Sequence, residues 1–218
     1  NGCTSEATAG ISNNGAPGLS LTSLTAVSCA GGNDGAVSIT ASGGFLPFSY
    51  LWSPYGGTGS ATSGLTAGTY SIRVTDSHNC ISVLIVDIPE PQALQINMTS
   101  TPVSCFGGND GSTSVIVTGG TGSYNYSWNT GIGNSPAANN LPAGNYSVTV
   151  TDQNNCTAQS QITIDQPLSL DAVVNNLTPV SCYGGNDGSA SILVNGGTSP
   201  YSYNWSSTGN SSSSATGI

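Results

Sequence analysis

The sequence predicts an all-β protein built from tandem immunoglobulin-like (PKD-like) β-sandwich repeats. A nine-residue stretch, Val-Ser-Cys-Ala-Gly-Gly-Asn-Asp-Gly at 27–35, recurs at 103–111 and 180–188 with Phe or Tyr replacing the Ala. Apolar residues alternate with period two in short β-branched runs bounded by Gly, Pro, Asn or Asp. Each repeat also carries an aromatic-x-Tyr-x-Trp run. Such a run places its rings on one face of a strand, as in sandwiches that bury a Trp between two sheets.

The repeat period is about 76 residues. Cys29 and Cys105 are 76 positions apart, and Cys105 and Cys182 are 77 apart. Cys80 and Cys156 end two Val-Thr-Asp-x-x-Asn-Cys motifs and are again 76 apart. The chain is therefore expected to be a segment of a longer polymer. The predicted organisation is the last strand and linker of a preceding repeat at 1–18, complete repeats at 19–91 and 92–167, and a truncated repeat at 168–218.

Six to seven strands are expected in each repeat. In the second repeat they are Leu94–Met98, Ser112–Thr118, Ser123–Trp128, an ill-defined stretch across 130–141, Asn145–Thr151 and Thr157–Ile164. Paired glycines such as Gly119 and Gly120 predict tight turns with positive φ. The Leu-x-Ala-Gly-x-Tyr motifs predict tyrosine corners, in which the hydroxyl bonds back to the backbone. The predicted core residues are Trp52, Trp128, Trp205, Tyr70 and Tyr146.

Composition excludes several classes of function. The chain has one basic residue, Arg73, against ten acidic residues and a formal net charge of −9, so it lacks the basic surface that nucleic acids require. No apolar run reaches the ~18 residues of a membrane helix. The single His, His78, is replaced by Asn154 in the next repeat. Asp34 and Asp76 recur, but the expected topology places them at opposite ends of a sandwich. The protein is therefore not expected to be an enzyme.

These motifs closely resemble the SprB-type repeats of giant cell-surface adhesins from gliding Bacteroidota. The resemblance rests on Val-Ser-Cys-Phe-Gly-Gly-Asn-Asp-Gly-Ser, Gly-Gly-Thr, Tyr-x-Tyr-x-Trp, Leu-x-Ala-Gly-x-Tyr and Val-Thr-Asp-x-x-x-Cys, and it covers nearly the whole chain. It implies secretion through the type IX pathway, display on the cell surface with attachment to the outer membrane, and use as a mobile adhesive filament in gliding motility. Cysteines at fixed spacing in a polar chain are consistent with this oxidising, extracellular setting.

The favoured function is a structural and adhesive array of rigid sandwiches in a large secreted surface protein. The alternative is a carbohydrate-binding or spacer region of a large secreted enzyme, which an exposed aromatic patch would favour. The expected partners are neighbouring repeats of the same chain, laterally associated copies, and an extracellular polysaccharide or other surface ligand. Weak sites become useful in such arrays because they act many at a time.

Cysteine pairing has two alternatives. Pairing within a repeat would join Cys29 to Cys80 and Cys105 to Cys156. In an immunoglobulin-like order these positions lie at opposite ends of the sandwich, roughly 23 Å apart, whereas a disulfide needs ~4.4 to 6.8 Å between Cα atoms. The preferred prediction therefore joins Cys29 to Cys156 across two repeats. The remaining cysteines are expected to pair outside this sequence or to stay unpaired: Cys3, Cys80, Cys105 and Cys182.

The Gly-Gly-Asn-Asp-Gly loop supports two hypotheses. In the first, the Asn and Asp side chains form turns and the glycines adopt positive φ. In the second, carboxylates from the junction of two repeats hold a Ca²⁺ ion, which prefers oxygen ligands. The predicted ligands for such a junction calcium are Asp34, Asp87, Glu90 and Asp152. No other cofactor is predicted.

Overall fold

The computed structural model describes residues 15–54, 56–206 and 209–218. Within these ranges the regular elements are fifteen β-strands. Nothing in the described part of the chain forms a helix long and apolar enough to cross a membrane. Most of the segment predicted to end a preceding repeat, including Cys3, lies outside the described residues.

The first repeat is a sandwich of two three-stranded antiparallel sheets. Its strands are β1 (Gly18–Thr25), β2 (Gly35–Ser42), β3 (Ser49–Ser53), β4 (Ala61–Leu65), β5 (Gly68–Thr75) and β6 (Ile81–Ile88). One sheet has the order β1-β2-β4 and the other β3-β5-β6. In immunoglobulin nomenclature these strands are A, B, C, E, F and G, so an A-B-E sheet faces a C-F-G sheet.

The second repeat has the same topology. Its strands are β7 (Gln95–Thr101), β8 (Gly111–Thr118), β9 (Asn125–Trp128), β10 (Ala137–Leu141), β11 (Gly144–Thr151) and β12 (Thr157–Ile164). The sheets are β7-β8-β10 and β9-β11-β12. Strand β10 lies in the stretch that the sequence left ill-defined, and strand A extends three residues further than predicted. The all-β, immunoglobulin-like fold class is confirmed.

The described part of the third repeat contains one sheet, formed by β13 (Asp171–Thr178), β14 (Ser189–Asn195) and β15 (Ser214–Thr216). The aromatic run from Tyr201 to Trp205, expected as strand C, has no strand structure here. In the first repeat strand C pairs only with strand F. Strand C has no such partner among the described residues of the third repeat, so its backbone forms no ladder. Trp205 is accordingly only half-buried.

Each complete repeat has its own core between its two sheets. Trp52 and Trp128 are 1% and 7% exposed. Their indole Nε1–H groups donate to the carbonyls of Gly59 at 2.9 Å and Ser135 at 3.0 Å. Around them pack inward residues of the strands and of the loop before strand B, among them Val37, Ile72, Val74, Val86 and Ile88 in the first repeat and Val103, Val148, Val150 and Ile164 in the second.

In both complete repeats a tyrosine side chain near the start of strand F bonds back to the preceding loop. The Tyr70 hydroxyl donates to the carbonyl of Thr66 at 3.1 Å, and the Tyr146 hydroxyl donates to the carbonyl of Pro142 at 2.9 Å. Both rings are buried, so each hydroxyl needs this partner. The bond fixes the path of the chain from strand E into strand F.

The chain divides into two compact units. The first comprises the described residues up to Leu94 together with Gly119–Ser123 and Asp152–Cys156. The second comprises Gln95–Thr118, Tyr124–Thr151 and Thr157–Ile218. The tips of two loops of the second repeat therefore belong to the same unit as the first repeat.

Candidate functional site

The loop between strands A and B, here called the A–B loop (residues 26–34 in the first repeat), presents Cys29. The Ser28 N–H donates to Asp34 Oδ1 at 2.9 Å, and the Gly32 N–H donates to the Cys29 carbonyl at 2.9 Å. Bonds from the Ser28 hydroxyl and N–H lower the pKa of Asp34 and outweigh the opposing effect of burial. The Asp of the nine-residue motif therefore closes the loop that carries the cysteine.

The A–B loops of the second and third repeats repeat this arrangement. Asp110 accepts the Ser104 N–H at 3.0 Å, and Asp187 accepts the Ser181 N–H at 2.9 Å. In each loop, hydrogen bonds from this neighbouring serine lower the pKa of the aspartate carboxyl. The bond from the serine hydroxyl has the larger effect and the bond from its N–H the smaller. This bonding supports the hypothesis that the Asp of the motif forms a side-chain turn.

A further contact anchors the A–B loop to the end of strand G. The Val27 N–H donates to the Pro89 carbonyl at 3.0 Å, and the Gly31 N–H donates to Glu90 Oε2 at 2.5 Å. In the second repeat the Gly107 N–H donates to Gln166 Oε1 at 2.9 Å. Because an amide oxygen replaces the carboxylate there, the position needs an acceptor and not a charge.

Two glycines of the motif are required for different physical reasons. Gly31 has a φ of +73°, which a residue with a side chain rarely adopts. Gly35 instead lies against strand E and the core. A Cβ atom there would lie 2.8 Å from the Leu65 carbonyl oxygen and 3.0 Å from Ile88 Cγ2. The sequence predicted only the first of these reasons.

The turn between strands F and G, here called the F–G turn (76–80 and 152–156), is organised by a buried aspartate. Asp152 is 2% exposed. Its Oδ2 accepts the Thr121 N–H at 2.8 Å, and its Oδ1 accepts the N–H groups of Asn154 and Cys156 at 2.9 Å. Asn155 has a φ of 64°, a conformation that Asn tolerates better than most residues. One carboxylate thus ties the F–G turn to the loop between strands B and C.

The F–G turn of the first repeat has the same bonds. Asp76 is buried and accepts the N–H groups of Phe45, His78 and Cys80 at 3.1, 2.9 and 2.8 Å. Burial alone would raise the pKa of Asp76, but these three donors, led by Cys80, more than compensate and lower it. The ring of His78 packs edge-on against Phe45 with centroids 3.9 Å apart.

Cys29 and Cys156 form a disulfide bond within the first unit. Their Cα atoms are 5.6 Å apart although the residues are separated by 127 positions. Beside the bond, the Asn154 side-chain amide donates to the Ser28 carbonyl at 3.0 Å. The A–B loop of the first repeat is therefore linked to the F–G turn of the second. Among the other described cysteines, Cys80 is a half-buried free thiol, and two are exposed free thiols: Cys105 and Cys182.

The four carboxylates predicted to hold calcium have separate partners. Asp34 bonds to Ser28, Asp87 accepts the Thr69 hydroxyl at 2.5 Å, Glu90 bonds to Gly31, and Asp152 caps the F–G turn. Among residues 15–54, 56–206 and 209–218, no three Asp, Glu, His or Cys side chains lie together as a metal would need. The structure therefore does not bring three of the predicted ligands together, and each carboxylate bonds instead to a donor of its own loop, turn or sheet.

Two parts of this site were not predicted. The capping role of Asp76 and Asp152 had a sequence signal, since Val-Thr-Asp-x-x-Asn-Cys recurs with an Asn at the turn position. The bond from Asn154 to Ser28 had none, because the equivalent residue in the first repeat is His78.

The family model of the SprB repeat matches three stretches of this chain, residues 21–57, 97–133 and 174–210, together 111 of the 218 residues. The chain belongs to the SprB repeat family. Each match runs from strand A past the aromatic-x-Tyr-x-Trp run, so it contains the cysteine of the A–B loop. The F–G turns with Cys80 and Cys156 follow after the matched stretches. The second cysteine of each of the two complete repeats therefore lies outside the part that matches the family model.

Several solved structures are similar to this chain. The eight N-terminal Ig domains of Down syndrome cell adhesion molecule match 69% of this chain and 25% of theirs, with 13% identity and a TM-score of 0.36. The four N-terminal Ig domains of Dscam1 match 72% of this chain and 47% of theirs, with 12% identity and a TM-score of 0.33. The chain thus spans from a quarter to about half the length of these structures. Comparison with curated protein sequences gives no match.

Membership of the SprB family and the immunoglobulin-like sandwich fold support a repeat region of a surface adhesin. The same findings point to a structural role and not to catalysis, and they suggest an extracellular or cell-surface location. The tandem arrangement makes neighbouring repeats of the chain its immediate partners.

Proposed function

We propose that this segment is a disulfide-stapled stalk of a large secreted adhesin, in which each SprB repeat is joined covalently to the next. The observation that supports the proposal is the bond between Cys29 and Cys156, which joins a loop of one repeat to a turn of the following one. A bond that closes so long a segment of chain restricts the unfolded state more than a local one does. Such a stalk would carry tension without separation of its repeats.

The free thiols fit the same scheme as halves of further bonds. Cys105 lies in an A–B loop with the internal bonds of the Cys29 loop, including a Gly108 N–H bond to the Cys105 carbonyl at 2.9 Å. Cys80 lies in an F–G turn with the same aspartate cap as the Cys156 turn. Cys80 would therefore pair with the A–B loop of a preceding repeat. The thiols with partners in following repeats would be Cys105 and Cys182.

The stalk would serve adhesion at the cell surface, attached to the outer membrane after type IX secretion and moved during gliding. The solubility of the repeats rests on uncharged polar residues, since only 5% of the chain is charged. Many repeats in one filament allow weak contacts with a surface ligand to act together. We propose an extracellular polysaccharide or another surface molecule as the ligand.

The alternative of a carbohydrate-binding region of an enzyme would need aromatic rings exposed on a sheet. Trp52 and Trp128 are buried, and their indole N–H groups bond to backbone carbonyls. These rings are therefore not available to stack on sugars. We retain the adhesive stalk as the proposed function.

Peptide mapping without reduction tests the stapling. The chain is exported to an oxidising compartment, alkylated to block free thiols, and digested with pepsin at low pH, where thiol exchange is slow because thiolates are protonated. We expect a linked peptide pair that contains Cys29 and Cys156 and disappears on reduction. A linked pair of Cys29 and Cys80 would contradict the proposal, because it would close each repeat on itself.

Stretching single molecules tests the mechanical role. In this 218-residue chain, the segment between Cys29 and Cys156 should extend only after reduction. The variant Cys156→Ser should extend fully without reduction, and Cys105→Ser should behave like the unchanged chain, because Cys105 is a free thiol here. Full extension of the oxidised, unchanged chain would rule out a staple that bears load.

A further inference from the structure

The outer face of the C-F-G sheet in the first repeat carries exposed apolar side chains. Leu51, Ile81, Val83 and Ile85 are 51%, 45%, 58% and 66% exposed. The register places Leu51 beside Arg73, and Arg73 beside Val83, in one row across the three strands. We call this surface, formed by these five residues and Asp87, the first-repeat outer face. Exposed apolar groups that are contiguous in this way mark interaction surfaces in soluble proteins.

The second repeat shows that the fold does not require an apolar outer face. Its C-F-G sheet has the same register, in which Thr149 lies beside Ser127 and Gln159. The Gln159 amide donates to the Thr149 hydroxyl at 3.0 Å, so this face forms polar bonds of its own. The residues that replace the apolar group are Ser127, Thr157, Gln159 and Gln161.

Two opposite charges lie at separate places on the first-repeat outer face. Arg73 is exposed on the central strand and is the one basic residue of the chain. Asp87 is exposed on the edge strand β6 and pairs with Thr69 in the register. Asp87 is four residues beyond Val83, the neighbour of Arg73, or about 13 Å along the strand. A face with one charge of each sign is self-complementary under a two-fold axis.

We propose that the first-repeat outer face is a contact between two copies of this chain. The apolar side chains of the two faces pack together, and Arg73 of each copy meets Asp87 of the other. A net charge of −9 makes two copies repel, and Arg73 is the one basic group that can offset this repulsion at the contact. The inference goes beyond the adhesive stalk, because it describes pairing between stalks.

The size of the face sets the strength of this contact. Strands β5 and β6 have eight residues each and β3 has five, so the face covers roughly 330 Å² in each copy. Two copies would bury roughly 700 Å², which is less than the ~1,200 Å² of stable complexes. The contact is therefore weak for one pair of chains and gains strength when several stalks lie side by side.

Sedimentation equilibrium of the full chain tests the proposal. Free thiols are alkylated first, so that disulfides between chains do not contribute. We expect the average mass of the unchanged chain to rise from 21.7 kDa towards twice that value as concentration rises to the millimolar range. A mass of one chain at every concentration would overturn the proposal.

Residues of the second repeat supply the matched variant. Replacing Leu51→Ser, Val83→Gln and Ile85→Gln gives three apolar positions of the first-repeat outer face the residues of the second repeat, and it should raise the dissociation constant about tenfold or more. The control is Ile116→Thr, which removes a side chain 62% exposed on the other sheet of the second repeat. Equal weakening by the control, or none by the triple variant, would overturn the assignment to this face.

A charge exchange distinguishes the two-fold contact from nonspecific apolar association. Arg73→Glu alone and Asp87→Arg alone should each weaken pairing, because each leaves like charges facing each other. An equal mixture of these two variants should recover it, since the carboxylate introduced in one chain then faces the guanidinium introduced in the other while the remaining pair is native. Circular dichroism melting confirms that each variant is folded. A mixture that pairs no better than the single variants would refute the proposed contact between Arg73 and Asp87.

Discussion

Asp152 and Cys156 hold each other in place: the Asp152 N–H donates to the Cys156 carbonyl at 3.0 Å, and the Cys156 N–H donates to Asp152 Oδ1 at 2.9 Å. The Asp152 carboxylate also accepts two further N–H groups, from Thr121 and Asn154. This bonding holds the backbone of the cysteine that forms the disulfide. The buried carboxylate is therefore as much a part of the junction as the two sulfur atoms.

Replacing Asp152→Asn should destabilise the second repeat. The oxygen of the new side-chain amide can still accept hydrogen bonds from two of the three backbone N–H groups. The amide nitrogen, which can only donate, then faces the third N–H, and that donor has no acceptor. A buried donor without a partner costs about 1 to 3 kcal/mol, or roughly 5 to 15 °C in melting temperature for a domain of this size. The matched control is Asp165→Asn, which removes an equal charge at an exposed side chain. Equal melting temperatures for the two variants would refute the capping role.

Acid should destabilise the repeats in a defined pH range. The pKa values of Asp34, Asp76 and Asp110 are lower in the folded chain than the usual value of 3.8. Their contribution to stability is therefore complete above about pH 4 and is lost as the pH falls through the lowered folded pKa values. The melting temperature, measured from pH 7 to pH 2, should stay constant down to about pH 4 and decrease below it. The variant Asp76→Asn should show a smaller fall, whereas an unchanged pH profile would contradict the assignment.

Loss of the disulfide should destabilise the linked loop and turn. The chain-entropy relation for a separation of 127 residues gives about 4 to 5 kcal/mol as an upper estimate. Thermal unfolding of Cys156→Ser should therefore begin at a lower temperature than that of the oxidised, unchanged chain. Cys105→Ser serves as the control, because Cys105 is an exposed free thiol in this chain. A reducing agent should lower the stability of the control and leave Cys156→Ser unaffected.

Truncating the buried tryptophan should damage the core of the second repeat. Trp128 is 7% exposed between the two sheets, and Trp128→Ala should cost about 3 to 5 kcal/mol. Trp205 makes the equivalent indole bond, to Ser212 at 2.9 Å, but is only half-buried. Trp205→Ala should therefore cost less, and denaturant unfolding followed by circular dichroism measures both. A greater loss for Trp205 would show that the core assignment is wrong.

The sequence predicted the fold well because the signals of the sandwich are local. Period-two patterns, paired glycines and the Leu-x-Ala-Gly-x-Tyr motif each act within a few residues. All four glycines at the B–C turns of the complete repeats, Gly43, Gly44, Gly119 and Gly120, have positive φ. The predicted strand C at Tyr201 to Trp205 is not formed, because a strand needs a partner as well as a pattern.

The site was less predictable because its contacts join residues that are distant in the chain. The side chain of Asn154 bonds to a carbonyl 126 positions away, and no local pattern encodes that bond. The calcium hypothesis rested on acidic residues predicted to lie at one junction. Backbone N–H groups bond to one oxygen of Asp34, to one of Glu90 and to both of Asp152. Turn formation and metal binding use the same residue types, and only the geometry distinguishes them.

The position of Arg73 has a consequence for resistance to proteases. An enzyme that cleaves after Arg or Lys has a single target in these 218 residues, the peptide bond between Arg73 and Val74. That bond lies in the middle strand of a sheet, paired with β3 on one side and β6 on the other. The folded chain should therefore survive trypsin intact outside the cell. Any cut that does appear would report that the first repeat had opened.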